Sequence, residues 1–412
     1  MLETYFPDPE GLQQAVTTEA GPYLEGFAQQ LESNGYARAT IHGHLRAAVH
    51  VALWQTGRGL SLKQFNEEEL VAFRRHLGRC RCFGTHGAYH HHGAGARRFL
   101  GYLDAQSITI PMRSPAGELP SLLKGFRRWM RCHRGVTETT LEIYGRIVTD
   151  LLGALGEDTR QFDAHRLRAF VLDSAGRHGR SKAKLVVTSV RMFLRYLIAE
   201  GRCPSGLDGA IPTIADWRLD SLPRFLPASE VNRIIESCDP ATSIGARDRA
   251  IVILLARLGL RAGDIVNLRI GDIDWGQATL QVSGKSRTLV RLPLPQEVGD
   301  AILNALTYRR LDSPDDYLFV RAAAPVGPFS KASAVSDIVK RAIRRAGVSA
   351  PSKGAHLLRH SAATQWLRDG MELEGIGVIL RHRSIDTTAH YAKVDVERLR
   401  QLAQPWPEVW PC

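Results

Sequence analysis

A chain of 412 residues has room for two or three domains, each large enough to bury its own core. Hydrophobic residues at 44% and charged residues at 23% are ordinary for a soluble globular protein, and the longest apolar run, Ala250 to Ala256, falls far short of a bilayer span, so no membrane partner is expected. The formal charge of +12 and a pI near 9.7 point instead to a polyanion, nucleic acid first in line.

The surplus charge is uneven. Residues 1–110 hold ten Lys/Arg against ten Asp/Glu, residues 111–222 hold 18 against 12, and residues 223–412 hold 26 against 20. Phosphate neutralisation therefore belongs to the middle and the C-terminal parts. Six scattered cysteines (Cys80, Cys82, Cys132, Cys203, Cys238, Cys412) suit a reducing cytosol better than a disulfide framework. No basic stretch followed by an apolar one opens the chain, so a secretory signal is not expected.

The N-terminal half carries an internal repeat. Leu24-Glu25-Gly26-Phe27 echoes Leu123-Lys124-Gly125-Phe126, and Gly35 through Ile41 echoes Gly135 through Leu141. Phe65 and Phe73 share their spacing with Phe162 and Phe170, and Phe99 to Leu103 echoes Phe193 to Leu197, with offsets drifting only from 100 to 94. Two small helical domains in tandem are predicted, over residues 1–110 and 111–208. In the first, Cys80-Arg81-Cys82 and the nearby His86, His90, His91 and His92 resemble a metal site. Cys-x-Cys lacks the usual zinc spacing, however, so a polar, DNA-facing loop is expected and no metal is assigned. In the second, Thr137 or Thr139 is predicted to cap a helix running to about Leu155. A further helix runs from about Lys182 to Ile198 and is ended by Gly201. Arg180, Lys182, Lys184, Arg191 and Arg195 lie at or near its start and exposed face and are candidate contacts to DNA backbone phosphates.

Pro212, Pro223 and Pro227 mark residues 209–227 as a linker. Beyond it, residues 228–402 read as a third domain: a helix capped by Ser229, a buried helix from Asp248 to Leu258, a β-hairpin over 279–292, and helices near 330–346, 356–369, 372–381 and 385–401. Residues 403–412 form a tail with Trp406 and Trp410.

This last domain holds the chemistry. Arg261 follows Gly259-Leu260, Lys285 comes 24 residues later in Gly284-Lys285-Ser286, and then His356-x-x-Arg359-His360, Arg381-His382 and His390-Tyr391 follow in order. A phosphodiester under attack gathers negative charge on its nonbridging oxygens, which arginine forks meet well. A phenol with a pKa near 10 needs a base or adjacent cations to attack at neutral pH. Two arginines, a lysine and two histidines around one phosphate would supply that field without magnesium.

In these motifs the chain resembles the tyrosine recombinases, a family that includes phage-type integrases and chromosome-dimer resolvases. The resemblance is specific over about 223–400 and looser over 111–208. It implies a mainly α fold with a small β-hairpin sheet in the C-terminal domain, preceded here by two tandem SAM-like core-binding domains. It implies that Arg261 and Arg359 grip the scissile phosphate and that Lys285 protonates the leaving 5′ oxygen. It further implies that His356 exchanges the tyrosine proton, His382 supports the transition state, and Tyr391 is the nucleophile of a 3′-phosphotyrosine intermediate. Asp264 stands where the family commonly has glutamate and is expected to brace Arg261. Arg381 stands where a glycine is usual. The resemblance further implies no cofactor, double-stranded DNA recombination sites as partners, and a bacterial, cytoplasmic, nucleoid-associated enzyme of a mobile element. It would work as a homotetramer on DNA or in a mixed assembly with related recombinases, its tail docking on a neighbour. A type IB topoisomerase-like nickase-ligase shares the chemistry, and a silent DNA-binding accessory factor is the non-enzymatic alternative.

Overall fold

The computed structural model describes residues 2–6, 9–78, 80, 89–109, 121–215, 222–283, 289–309, 316–382, 384–394 and 400. The fold is mainly α, and no described helix is long and apolar enough to cross a membrane. By contacts the chain forms two compact units. One comprises Met1–Pro9, Leu24–Leu45 and Arg218–Cys412; the other comprises Glu10–Tyr23 and Arg46–Trp217. Within the first, the Val326 N–H donates to the Asn34 carbonyl at 2.9 Å.

After α1 (Pro9–Val16), the first set of repeat helices is α2 (Leu24–Ser33), α3 (Arg38–Gly57), α4 (Glu67–Leu77) and α5 (Tyr89–Ala105). The second set is α6 (Ser121–Arg134), α7 (Glu138–Leu155), α8 (Ala164–Gly176) and α9 (Arg180–Ala199). Local detail recurs between them. Phe65 and Phe162 each end a short 3-10 turn and are buried, and the next residue, Asn66 or Asp163, caps the following helix through its side chain. Phe27 and Phe126, and Phe99 and Phe193, are buried in both. Thr137 occupies the N-cap position of α7 without a side-chain cap, its hydroxyl bonding Thr140 instead. Gly201, at φ 65°, follows α9, as its freedom to go left-handed predicts.

The C-terminal region is built on α11 (Ser243–Arg257), which follows α10 (Ala228–Glu236). Ala250 to Ala256 are all buried, so this stretch of α11 has no solvent face and runs through the core, while its first turn at Ser243 and Ile244 is exposed. Each such Leu, Ile or Val contributes about 1.5–3 kcal/mol of transfer free energy. Around it lie α12 (Ala262–Asn267), the sheet β1 (Ile273–Asp274), β2 (Thr279–Ser283) and β3 (Leu289–Pro293), then α13 (Gln296–Thr307). The hairpin pairs Leu280 with Leu292 and Val282 with Val290, which sets its apolar face inward. A second pair, β4 (Val320–Arg321) and β5 (Gly327–Pro328), accompanies the single small sheet that was expected. The chain continues through α14 (Ser333–Arg345), α15 (Ala355–Arg368), α16 (Leu373–Leu380) and α17 (Ile385–Ala389).

Two expectations are corrected. Pro227, not Ser229, holds the N-cap position of α10, because a proline needs no N–H partner at a helix entrance. The helix predicted over 385–401 is interrupted: it stops at Ala389 and gives way to a 3-10 turn, His390–Val394, while Arg400 is helical and 395–399 and 401 lie outside the described residues. The linker's described ends are anchored, with Ile211 in the helical core and Leu226 in the C-terminal core. The tail and its tryptophans lie outside the described residues.

Candidate active site

The turn from α11 to α12 presents Arg261. Gly259 sits at φ 58°, and a Cβ there would stand 2.8 Å from Leu380 Cδ2 and 3.1 Å from Trp366. Only glycine fits, which explains Gly-Leu-Arg at this point. Arg261 takes the N-cap position of α12, and its N–H donates to Asp264 Oδ2 at 2.8 Å.

Arg359 lies one turn into α15, 3% exposed, and donates to the carbonyls of Gly259 and Leu380. The Arg261 guanidinium donates to the carbonyls of Leu380 and Arg381, at 3.1 and 2.9 Å. The two forks therefore meet on the Leu380 carbonyl, at the negative end of α16. Each guanidinium has five N–H donors, and these bonds use two, so the forks retain capacity for an anion.

Asp264 braces Arg261 through the backbone; its carboxylate forms an ion pair with Arg381, and both side chains are buried. Arg381 adopts the left-handed conformation, φ 54° and ψ 49°, in the position where the family's glycine suits the turn. That conformation costs an ordinary residue about 1–2 kcal/mol, which the buried pair opposes. Three arginines thus surround one carboxylate. Burial, and then the neighbouring cations, push Arg261 down and Arg359 down to about 10. Such a pocket is short of negative charge and suits a phosphate.

His382 follows Arg381, its Nδ1 2.8 Å from the buried Thr388 hydroxyl. Its ring lies parallel to that of Tyr391, 4° between planes and 6.5 Å between centroids. Tyr391, in the 3-10 turn after α17, is 2% exposed among Ala363, Leu367, Ile376 and Leu380. Its hydroxyl lies 2.7 Å from His360 Nδ1. Burial pushes the phenol up to about 12, with Arg359 pulling the other way. Burial first, then adjacent positive or titratable groups, hold His360 and His382 down at about 4, so both rings are neutral donor-acceptors.

Arg261, Arg359, His382 and Tyr391 are thus brought together. His356 is exposed at the first turn of α15, its ring 6.0 Å from that of His360. Lys285 falls in 284–288, outside the described residues, between the paired ends Ser283 and Leu289. Sequence reasoning missed His360 and the pairing role of Arg381. The available signal was spacing, since His360 is one helical turn from His356. On α9, Arg180 and Lys182 are exposed and Lys184 is half-buried. Arg191 instead bonds the Ile211 carbonyl and Thr213, and Arg195 pairs with Asp208 at 3.0 Å. Both secure the segment after the helix.

The family model described as the phage integrase family matches residues 224–398. The chain is 34% identical over 392 residues to a putative integrase/recombinase, y4rA, of Sinorhizobium fredii, covering 93% of this chain and 94% of that one. It is 30% identical over 289 residues to tyrosine recombinase XerC of Pseudomonas aeruginosa, covering 68% and 92%. Among solved structures, XerH site-specific recombinase bound to its difH substrate aligns over 69% of this chain and 84% of that one, with 19% identity and a TM-score of 0.52. A lambda integrase dimer bound to a COC′ core site aligns over 70% and 98%, with 18% identity and a TM-score of 0.52.

Proposed function

The chain belongs to the tyrosine recombinases of the phage integrase family, site-specific enzymes that break and rejoin DNA, and from that premise we propose how its own residues divide the work. Tyr391 Oη attacks the scissile phosphorus, forming an O–P bond as the bond to the 5′ oxygen breaks. Its proton passes to the imidazole pair His360 and His356, and Lys285 gives a proton to the departing 5′ oxygen. Arg261 and Arg359 hold the nonbridging oxygens, and His382 adds a hydrogen bond there. The product is a 3′-phosphotyrosine with a free 5′ hydroxyl. Attack by a second 5′ hydroxyl reverses the step and reseals DNA without ATP, because the bond energy stays in the phosphotyrosine.

The observation that carries this reading is the meeting of both guanidinia on the Leu380 carbonyl, in a pocket that also holds Tyr391 and His382. Tyr391 is too buried to attack from its present position, so DNA binding must move the His390–Val394 turn. Residues 111–208 clamp the duplex through the start of α9, and the neutral first domain meets neighbouring protomers. Four protomers, of this chain or mixed with related recombinases, act on two duplexes for a bacterial mobile element, with residues 403–412 docking between subunits. A nicked suicide substrate tests the chemistry: the wild type accumulates covalent protein–DNA, whereas Tyr391→Phe binds the site and forms none. Covalent product from Tyr391→Phe would remove Tyr391 from the role. Deleting 403–412 should lower the assembly seen on paired sites.

A further inference from the structure

The unit containing residues 46–217 gathers a second set of chemically active side chains, unrelated to the DNA-cleaving pocket. His50 lies in the middle of α3, His76 in the last turn of α4, and Cys80 three residues beyond that helix. Their ligand atoms all lie within 4.8 Å of one another. His50 Nε2 is 3.1 Å from His76 Nε2 and 3.7 Å from Cys80 Sγ. His92, on α5, is buried with its ring 5.7 Å from that of His50.

These separations match the edges of a coordination polyhedron. Zinc–nitrogen bonds of about 2.0–2.1 Å and zinc–sulfur bonds of about 2.3 Å, arranged tetrahedrally, place nitrogens about 3.3 Å apart and nitrogen and sulfur about 3.6 Å apart. The cysteine that ligates does not use its Cys-x-Cys neighbour. It joins histidines 30 and four residues upstream, a combination that no local spacing rule identifies. The surroundings suit a structural ion: Phe73 and Trp54 pack against the rings, Phe73 5.1 Å from His50 and Trp54 6.1 Å from His76 between centroids. Apolar walls exclude water and strengthen the ion–ligand bonds. His50 is only 5% exposed, so its ring lies inside the apolar wall and away from bulk water.

We propose that His50, His76 and Cys80 bind a divalent zinc ion through two imidazoles and one thiolate, the fourth position being left to solvent. Imidazole nitrogen and thiolate are the borderline-soft donors that zinc takes. Bound there, the ion ties the end of α4 and the chain beyond it to α3, fixing a span that runs from His50 to Cys80. It is a structural staple for the N-terminal part of the chain and takes no part in strand cleavage.

Full-length protein purified without a histidine tag tests this by elemental analysis and by cobalt substitution. The expected result is about one zinc per chain. After chelation, added Co²⁺ should give a near-ultraviolet thiolate-to-cobalt charge-transfer band with tetrahedral d–d bands. Cys80→Ser should abolish the charge-transfer band, and His50→Ala should cut the zinc content at least tenfold. Cys132→Ser and His133→Ala, which alter exposed residues on α6, should leave both readouts unchanged. Should His50→Ala fail to fold, the milder Cys80→Ser decides. Zinc below about one-tenth per chain in the wild type, or an undiminished band in Cys80→Ser, would overturn the site and leave a hydrogen-bonded cluster. Neither result bears on Tyr391, since the suicide substrate reads that separately.

Discussion

The phenolic oxygen of Tyr391 and Nδ1 of His360 stand 2.7 Å apart, joining the 3-10 turn after α17 to the second turn of α15. The bond satisfies a hydroxyl that would otherwise be buried without a partner, and it places a neutral imidazole where the phenolic proton must leave. One contact thus serves the resting position and the first proton transfer.

Replacing His360 with alanine should cost about 1–3 kcal/mol through the unpaired phenol. Ultraviolet titration, with Tyr391→Phe as the subtraction control, should show Tyr391 ionising closer to 10 than to 12 once its pocket loosens. Single-turnover formation of the covalent complex should slow about 10²-fold or more, the usual range for a lost general base. An unchanged rate would make His356 the sole proton acceptor.

Stability should fall on the acid side. The folded state holds His360 and His382 at about 4, below their ordinary value of about 6.5. Each therefore contributes stability fully present above about pH 6.5, which is lost as pH falls through about 4. Tyr391 runs the other way, contributing below about pH 10 and losing its contribution as pH rises through about 12. Melting temperatures measured across this range should drop at both ends. His360→Gln and His382→Gln should flatten the acid limb, and an acid limb identical to wild type in both would refute the assignment.

Asp264 and Arg381 should behave as a coupled pair. Asp264→Asn leaves a buried guanidinium unbalanced, a loss of about 3–5 kcal/mol. Arg381→Gly relieves the left-handed strain yet strands the carboxylate, so it too should destabilise. The double variant should lose less than the two single losses combined, as denaturant unfolding would show. Strict additivity would mean that the pair does not interact.

The basic face of α9 should divide in two. Arg180→Ala and Lys182→Ala should each weaken DNA binding and reduce the slope of log affinity against log salt by about 0.9. Arg195→Ala breaks only a partly exposed ion pair with Asp208, so it should lower stability by about 1 kcal/mol or less and leave the salt slope alone. A reduced slope for Arg195→Ala would return it to the phosphate contacts.

Periodicity, caps and breakers are local properties, so the sequence alone determined the helical repeats, the buried α11, the presence of the hairpin and the ordered series Arg261, Arg359, His382, Tyr391. It misjudged Ser229 and the helix over 385–401 because apolar spacing does not fix where a helix starts or stops. The tertiary structure alone decided which groups touch. Arg261 reaches a carbonyl 119 residues away, Arg381 takes Asp264 from across the domain, and His50 on α3 meets Cys80 beyond the end of α4. Contacts of that range depend on how whole elements pack, and no short window of residue types encodes that.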